Sequence, residues 1–275
     1  MGSIRVGTSG WIYPSWRGRF YPKELPQRAW LSHLAERVDG LELNGTFYSL
    51  KRPGDYRAWA EQVPPDFEFA VKGGRYITHL KQLNDVGTAL ANFFASGVLA
   101  LGERLGPVLW QLPSRTRLNL DRLESFLAAL PRSTTAAAEL AEKHDDKVPD
   151  PLTTTEADRP IRHALEVRNE TFRDAGFFDL LRHHGVALVM SHSAGTFAYF
   201  EEFTSDLAYL RLHGSDTLYT GSYSDADLDD WATKILGWSQ DHDVRVYFDN
   251  DTHADAPGDA VRLRQRLSLE SARSV

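Results

Sequence analysis

The sequence predicts an α/β barrel of eight strands with helices packed around it. Short β-rich segments alternate with amphipathic stretches of helical period, and eight β segments can be counted. The length of 275 residues fits such a barrel built as one domain, since α/β barrels commonly run to about 250 residues.

The predicted strands are short and rich in aliphatic residues. They cover residues 4–9, 40–44, 67–72, 107–111, 162–168, 186–191, 207–213 and 244–250. Helical patterning between them covers residues 27–38, 55–62, 84–105, 121–130, 177–184, 225–241 and 255–267. Asp121 and Asp225 are predicted to be N-caps, and Pro131 ends the helix before it.

Two connections depart from the simple alternation. Residues 193–206 have no helical pattern, which predicts an irregular or missing helix between strands six and seven. Residues 133–160 mix an Ala/Glu-rich helical piece with a polar Pro/Thr/Asp-rich segment, so we expect an elaborated connection before strand five. We place a single domain over residues 1–267 and expect residues 268–275 to fray.

Composition excludes several classes of protein. The chain has no cysteine, which rules out disulfides, thiolate metal sites and cysteine nucleophiles. A net charge of −7 argues against nonspecific nucleic-acid binding, although a local cationic pocket stays open. The longest apolar runs fall short of the ~20 residues of a membrane span, and the first ten residues lack the layout of a secretory signal. We expect a cytoplasmic protein without a membrane partner; the oligomeric state is left open.

Polar pairs two residues apart interrupt three of the aliphatic strands. Because side chains alternate faces along a strand, each pair points one way while its aliphatic neighbours point the other. The pairs are Glu42 and Asn44, Glu166 and Arg168, and Arg211 and His213. Since catalytic groups of such barrels come from the carboxyl ends of strands and the loops that follow, these pairs predict one shared polar cavity.

Other strand ends and the loops after them add to the predicted site. Polar groups of this kind are Thr8, Ser9, Lys72, Gln111, Asp249 and Asn250, with His79 in the loop after strand three. Three aromatic residues follow strands one, two and seven: Trp11, Tyr48 and Tyr223. They are predicted to line the cavity and to contact a ring of the ligand.

Two carboxylates among several cations suit acid–base chemistry, because burial and proximity separate their pKa values. Glu42 or Glu166 is the predicted base and His79 or His213 the predicted proton donor, while Lys72, Arg168 and Arg211 stabilise negative charge. We expect Glu166→Gln to abolish turnover and to leave stability nearly unchanged. The competing interpretation is structural: pairs such as Glu42 with Arg168, or Glu166 with Arg211, would only neutralise the barrel interior.

No cofactor is predicted. Glu42, Glu166, His213 and Asp249 would form an oxygen-rich site for a divalent metal ion, but the neighbouring cations would repel it, so metal binding is the less favoured alternative. The phosphate-loop, dinucleotide-binding, nucleophile-elbow and zincin motifs are absent.

Eight segments in order resemble the domain of unknown function 72 family, also called YecE-like. They are GTSGWIYPSWRGRFYP, LELNGTFYSL, FAVKGGRYITHLKQL, VLWQLP, ALEVRNETF, YLRLHG, YTGSYS and VYFDND, spanning residues 7 to 251. The resemblance implies a TIM-type (β/α)8 barrel and supplies no established activity.

The resemblance also implies a set of recurrent polar positions. They are Glu42, Asn44, Thr46, Lys72, His79, Gln111, Glu166, Arg168, His213 and Asn250. The family usually has Asn where Asp249 stands and often His where Asn169 stands, so either difference alters the expected substrate preference.

We therefore expect a cofactor-independent enzyme, a hydrolase, isomerase or lyase, at the carboxyl-terminal mouth of the barrel. Its small polar substrate is expected to be anionic or polyhydroxylated. The alternatives are a nucleic-acid-directed hydrolase, by fold analogy alone, and a noncatalytic small-molecule-binding protein.

Overall fold

The computed structural model describes the backbone of residues 1–273 and the side chains of residues 1–269. Eight parallel strands pair in chain order and close into a barrel, which confirms the predicted TIM-type fold. The strands are β1 Ile4–Ser9, β2 Gly40–Leu43, β3 Glu68–Lys72, β4 Leu105–Gln111, β5 His163–Glu166, β6 Ala187–His192, β7 Leu207–Leu212 and β8 Asp243–Phe248.

Helices cover most of the outside of the barrel. They are α1 Trp30–Ala35, α2 Gly45–Tyr48, α3 Pro53–Ala60, α4 Gly87–Ala95, α5 Leu120–Ala128, α6 Thr134–Ala141, α7 Ala175–His183, α8 Asp225–Trp238 and α9 Asp255–Arg273. The segment Tyr76–Leu80 forms one turn of π-helix, and Val98–Arg104 is a kinked 3₁₀ segment. Each described helix is too short or too polar to cross a lipid bilayer.

Several predicted helix boundaries were wrong. The helix predicted over residues 84–105 ends at Ala95, because Gly97 takes a left-handed φ of 115° that an α-helix does not allow. Asn119 and Ser224, not Asp121 and Asp225, accept the capping hydrogen bonds of α5 and α8. α9 continues past the boundary predicted at residue 267, and residues 274–275 of the predicted frayed tail lie outside the described residues.

The two unusual connections follow the predictions more closely. Residues 193–206 contain no helix, and Thr204 holds this segment to the barrel by accepting from the Leu188 amide and donating to the Val186 carbonyl. The connection before β5 contains α6 and then an irregular stretch. The assignment of residues 1–267 to a single domain stays a prediction.

Strand alternation separates two apolar layers. Leu41, Leu43, Leu165, Leu210 and Leu212 pack in the core between strands and helices. A second cluster lies apart from it and contains Ala70, Leu109, Ala164, Ala187, Val189, Leu207, Tyr209 and Tyr247. These side chains alternate with those of the outer core, so they fill the barrel interior beneath the polar groups.

Candidate functional site

A guanidinium occupies the centre of the polar cluster at the carboxyl ends of the strands. Arg211 on β7 is fully buried, and its Nε and Nη2 donate to the two oxygens of Glu42 at 3.0 and 2.7 Å. Its Nη1 donates to Oε2 of Glu166 at 2.7 Å, and Nη2 donates to Oδ2 of Asp249 at 3.0 Å. Side chains from β2, β5 and β7 and from the end of β8 thus meet around one cation.

Glu42 has no oxygen left for a substrate. Ser9 and Tyr209 donate to its two oxygens at 2.5 and 2.8 Å, in addition to the two bonds from Arg211. Glu42 is also fully buried. Its predicted role as a general base does not fit this geometry, and the structural alternative that paired it with Arg168 is replaced by a pair with Arg211.

Glu166 is held between two arginines. Arg168 Nε donates to its Oε1 at 2.6 Å, Arg211 binds its Oε2, and Ser191 Oγ lies 3.5 Å from Oε1. Burial alone raises the pKa of Glu166, but Arg168 and Arg211 outweigh burial and hold this pKa well below its usual range. The charge of Glu166 compensates two buried cations. The expectation that Glu166→Gln leaves the stability of the fold nearly unchanged therefore does not fit the structure.

His213 lies beside Asp249 at the edge of this network. Its Nδ1 is 2.9 Å from Oδ2 of Asp249, and its Nε2 is 3.9 Å from Oε1 of Glu166. The Asp249 oxygen lies off the direction of a linear ring N–H bond, so the contact is electrostatic. Burial alone raises the pKa of Asp249, but Arg211 and His213 outweigh burial and hold this pKa well below its usual range. The carboxyl is therefore ionised at neutral pH.

Lys72 differs from the arginines because no carboxylate holds it. Its side chain has no hydrogen bond or ion pair with any residue of the described chain, and its Nζ lies 4.8 Å from the centre of the Phe47 ring. Burial and the charge of Arg211 lower its pKa to about 8, against the opposing pull of Glu42, Asp249 and Glu166. At neutral pH a minor fraction is therefore a free amine.

His79 is neutral at pH 7. Burial and the charges of Lys72, Arg115, Arg168 and Arg75 lower its pKa to about 4. Its Nδ1 lies 2.9 Å from the Thr78 hydroxyl. Because burial and the cations around it keep the ring uncharged, the predicted proton donor at this position would be a neutral imidazole.

Arg168 lies at the rim of the barrel mouth, where the polar cluster meets solvent. Its guanidinium stacks over the Phe197 ring at 4.2 Å and donates to the Tyr219 hydroxyl at 3.3 Å. The side chain of Arg168 is 10% exposed and that of Asp249 is 14% exposed, whereas Arg211, Glu42 and Glu166 are fully covered. A ligand entering the mouth would meet Arg168 and Asp249 before the network beneath them.

Two amides lie near the network. Asn44 Nδ2 donates to Ser9 Oγ at 2.8 Å, and its buried Oδ1 has no hydrogen-bond partner in the described chain. Gln111, paired with Glu166 in the strand register, donates to the Leu112 carbonyl at 3.3 Å. The Asn44 oxygen is thus an unused acceptor beside the network.

Several predicted substrate-binding groups use their polar atoms within the protein. Thr8 donates to the Gly10 carbonyl, and Thr46 lies within hydrogen-bond distance of the Leu43 and Lys72 carbonyls. Asn250 donates to the Gly221 carbonyl and to Asp259. The Tyr223 hydroxyl accepts from the Gly214 amide and lies 2.9 Å from His192 Nδ1. These hydrogen bonds hold the loops of the mouth in place, and contact of these four residues with a substrate stays a prediction.

Two predicted cavity aromatics lie outside the network. Trp11 packs edge-on against Trp59 and lines a groove with residues of α1 and α3. Tyr48 is 71% exposed and lines a cleft beside α4. Both follow a strand as predicted, but the groove and the cleft that they line contain none of the residues of the charged network.

Two residues of the site were missed by the sequence analysis. Tyr209 lies two positions before Arg211 on the same face of β7, so strand alternation alone predicts its place. Asp251 follows Asp249 at the same spacing, and burial and the Asp249 charge raise its pKa well above the usual range. Its buried Oδ1 has no hydrogen-bond partner in the described chain. Of these two neighbouring carboxyls, Asp251 therefore holds its proton more tightly than Asp249.

The four residues considered for a divalent metal ion surround Arg211 instead. Its guanidinium binds Glu42, Glu166 and Asp249, and His213 adjoins Asp249. Within the described chain, no group of three or more His, Asp or Glu side chains is arranged to hold a metal ion. The carboxylate oxygens that a metal would need are those that neutralise the arginine.

Comparisons with known proteins agree with this fold. A DUF72 family protein of Thermotoga maritima is 24% identical, with a TM-score of 0.77 over 97% of this chain and 99% of that one. A DUF72 family protein of Enterococcus faecalis is 16% identical, with a TM-score of 0.74 over 96% of this chain and 95% of that one. No curated protein matches. The family described as "Protein of unknown function DUF72" matches residues 5–274, and the chain belongs to that family.

Proposed function

We propose that this protein is an enzyme that uses acid–base chemistry on a small anionic or polyhydroxylated substrate at the mouth of the barrel. The observation that carries the proposal is the state of Lys72, a nearly buried amine that lacks a carboxylate partner in the described chain and has a pKa lowered to about 8. A structural lysine is normally paired or solvated, so an unpaired one at this position is suited to chemistry.

The groups of the site divide into two layers in this proposal. Glu42, Glu166 and Arg211 form a rigid lower layer that sets the positions of Arg168 and Asp249. Because the carboxylates of this lower layer are fully hydrogen-bonded, we assign proton transfer to groups closer to the mouth of the barrel. Lys72 in its amine form is the proposed base.

The remaining roles follow from charge. Arg168 is the proposed partner of a negative group on the substrate, since it reaches the rim. Asp251, whose pKa is raised by burial and by the charge of Asp249, is the proposed proton donor. His79, being neutral, is left to accept or donate a hydrogen bond. The proposal needs no cofactor, and the expected cytoplasmic location is kept as part of it.

The second candidate is a noncatalytic binding protein. It is favoured by the saturation of Glu42 and Glu166, which could serve only to neutralise Arg211 inside the barrel. In that case the rim would still hold an anion but would not change it. The acidic net charge of −7 favours neither candidate and offers no support for nucleic acid as substrate.

The test is to incubate the purified protein with a complete small-metabolite extract and to follow every metabolite by mass spectrometry. The comparison is between wild type, Lys72→Met and Lys234→Met. Lys234 is the matched control because it is an exposed lysine paired with Glu201 on the surface.

We expect wild type and Lys234→Met to consume one anionic metabolite and form another, while Lys72→Met leaves both unchanged. A metabolite that is retained by the protein without conversion would support the binding protein instead. Equal conversion by wild type and Lys72→Met would remove Lys72 from the chemistry.

A further inference from the structure

A cleft of about 510 Å³ adjoins the charged site on one side. It is bounded by α2, by the π-helical turn Tyr76–Leu80 and by α4. This volume lies in the range of pockets that take small ligands, about 300–1,000 Å³. None of the groups discussed for proton transfer lines it.

Apolar side chains on the walls of this cleft remain exposed. Tyr48 is 71% exposed, Tyr76 is 52% exposed and Leu50 is 40% exposed. Each of them lines the cleft, and Leu80, 60% exposed, belongs to the same π-helical turn. A concentration of exposed rings in one concave place is typical of a surface that stacks against a planar ligand.

The backbone around the cleft is also unusual. Gln82, Leu83 and Asp85 take φ values of 49°, 68° and 45°, in the left-handed region that residues other than glycine rarely adopt. Such strained positions and π-helical turns concentrate at functional sites. They are consistent with a binding role for the cleft.

Charge on the walls favours an anion. Among the cations of the cleft, Lys81 is paired with Asp85 at 3.6 Å and Lys147 with Asp145 at 3.1 Å. Arg75 also lines the cleft and has no carboxylate partner in the described chain. It is exposed, and it belongs to the group of cations whose field acts on His79.

Phe47 forms the wall between the cleft and the charged site. One of its neighbours is Lys72, whose Nζ is 4.8 Å from the ring centre, and another is His79, whose ring centre is 5.0 Å away. The ring of Tyr48 lies 5.0 Å from Phe47 on the cleft side. Phe47 therefore contacts both the cleft, as one of its lining residues, and Lys72 of the charged site.

We infer that this cleft binds a planar aromatic ring of the substrate, with Arg75 binding an anionic group next to that ring and the rest of the molecule passing Phe47 towards Lys72 and Arg168. The inference rests on the proposed function, because it assigns a second part of the substrate of that site. It narrows the substrate class from a small anionic or polyhydroxylated molecule to an anion that carries an aromatic ring.

The test measures binding of three probes by calorimetry: phenyl phosphate, methyl phosphate and inorganic phosphate. The variants are Tyr48→Ala and Tyr76→Ala, with Tyr48→Phe and Tyr76→Phe as controls that keep the ring. Arg75→Gln removes the unpaired cation. Because Tyr48, Tyr76 and Arg75 are exposed, these substitutions are not expected to disturb folding.

We expect phenyl phosphate to bind wild type about three- to tenfold more tightly than methyl phosphate, as one stacked ring contributes. Each Tyr→Ala variant should lose that preference and each Tyr→Phe variant should keep it. Arg75→Gln should weaken all three probes alike.

Equal affinity of wild type for phenyl and methyl phosphate, no measurable binding of phenyl phosphate, or a preference that survives both Tyr→Ala changes would overturn the inference. These readouts are separate from turnover of a metabolite. If phenyl phosphate binds as expected but Lys72→Met does not alter conversion, the cleft stands and the proposed base is wrong.

Discussion

Arg211 on β7 and Glu42 on β2 face each other across the barrel and are joined by two hydrogen bonds, Nε to Oε2 at 3.0 Å and Nη2 to Oε1 at 2.7 Å. This fork geometry is the one in which arginine binds a carboxylate most strongly. Because both side chains are fully buried, each depends on the other for compensation of its charge.

Arg211→Met should therefore destabilise the barrel strongly. The substitution leaves Glu42 without its cation and Glu166 with only Arg168, and removing one partner of a buried pair costs about 3–5 kcal/mol. The measurement is the free energy of unfolding in urea by circular dichroism.

The control is Arg182→Met, whose guanidinium pairs with Asp179 and Glu202 on the surface. We expect it to cost about 0–1 kcal/mol, as exposed pairs do. If both variants lose the same small free energy, the network around Arg211 does not stabilise the fold.

The positions of these groups were predictable from strand alternation, whereas their partners were not. Glu42, Glu166 and Arg211 lie on the inner face as the period of two requires, and their aliphatic neighbours lie in the outer core. Which carboxylate pairs with which arginine depends on the register of the closed barrel, and a single sequence carries no signal for that register.

The loops were less predictable than the strands. Asn250 and Tyr223 look like binding groups because they are polar and follow a strand, but Asp259 of α9 engages the Asn250 amide and the Tyr223 backbone. The helix–loop contact joins distant parts of the chain, so local pattern does not reveal it. Phe197, which stacks on Arg168, lies in the connection without a helix and offered no periodic signal.

Lys72→Met should change how stability depends on pH. The pKa of Lys72 is lowered from 10.5 to about 8, so between these values the unfolded chain binds more protons than the folded one. Stability of wild type therefore rises with pH across this window, and Lys72→Met lacks this contribution.

Between about pH 7.5 and about pH 9.5 the free energy of unfolding of wild type should gain about 2 kcal/mol relative to Lys72→Met. Urea unfolding at the two pH values measures it. Lys234→Met, at an exposed position, should follow wild type at both. A constant difference between wild type and Lys72→Met would mean that Lys72 has an ordinary pKa.

Asp251→Asn should stabilise the protein at neutral pH. The pKa of Asp251 is raised by burial and by Asp249, so above pH 3.8 the folded state holds a proton that the unfolded chain releases. Wild type loses stability as pH rises through this range, and an amide keeps a donor towards Asp249 without titrating.

The free-energy gap between Asp251→Asn and wild type should accordingly widen as pH rises from about 4 to about 7. Urea unfolding measures the gap, and infrared spectroscopy should show the carbonyl stretch of a protonated carboxyl in wild type only. Asp216→Asn, at an exposed aspartate, is the control and should not alter either readout. A less stable Asp251→Asn at pH 7 would show that Asp251 is ionised.

Asp259→Ala should destabilise the loops at the mouth of the barrel. This carboxylate is 1% exposed and accepts from Ser222 Oγ at 2.6 Å, the Tyr223 amide at 2.9 Å, Asn250 Nδ2 at 2.9 Å and Arg262 Nη2 at 2.7 Å. Removing it leaves buried donors without an acceptor, at about 1–3 kcal/mol for each such group, so we expect a loss of roughly 2–4 kcal/mol.

Asp229→Ala is the matched control, since Asp229 is an exposed aspartate that pairs with Arg266 on the neighbouring turn of the same α8–α9 contact. Its loss should be about 0–1 kcal/mol. Hydrogen exchange should locate the effect of Asp259→Ala at the amides of residues 221–224 and 250, because these are the segments that the carboxylate holds together. Unchanged exchange there would mean that Asn250 and Tyr223 are held in place by contacts other than those with Asp259.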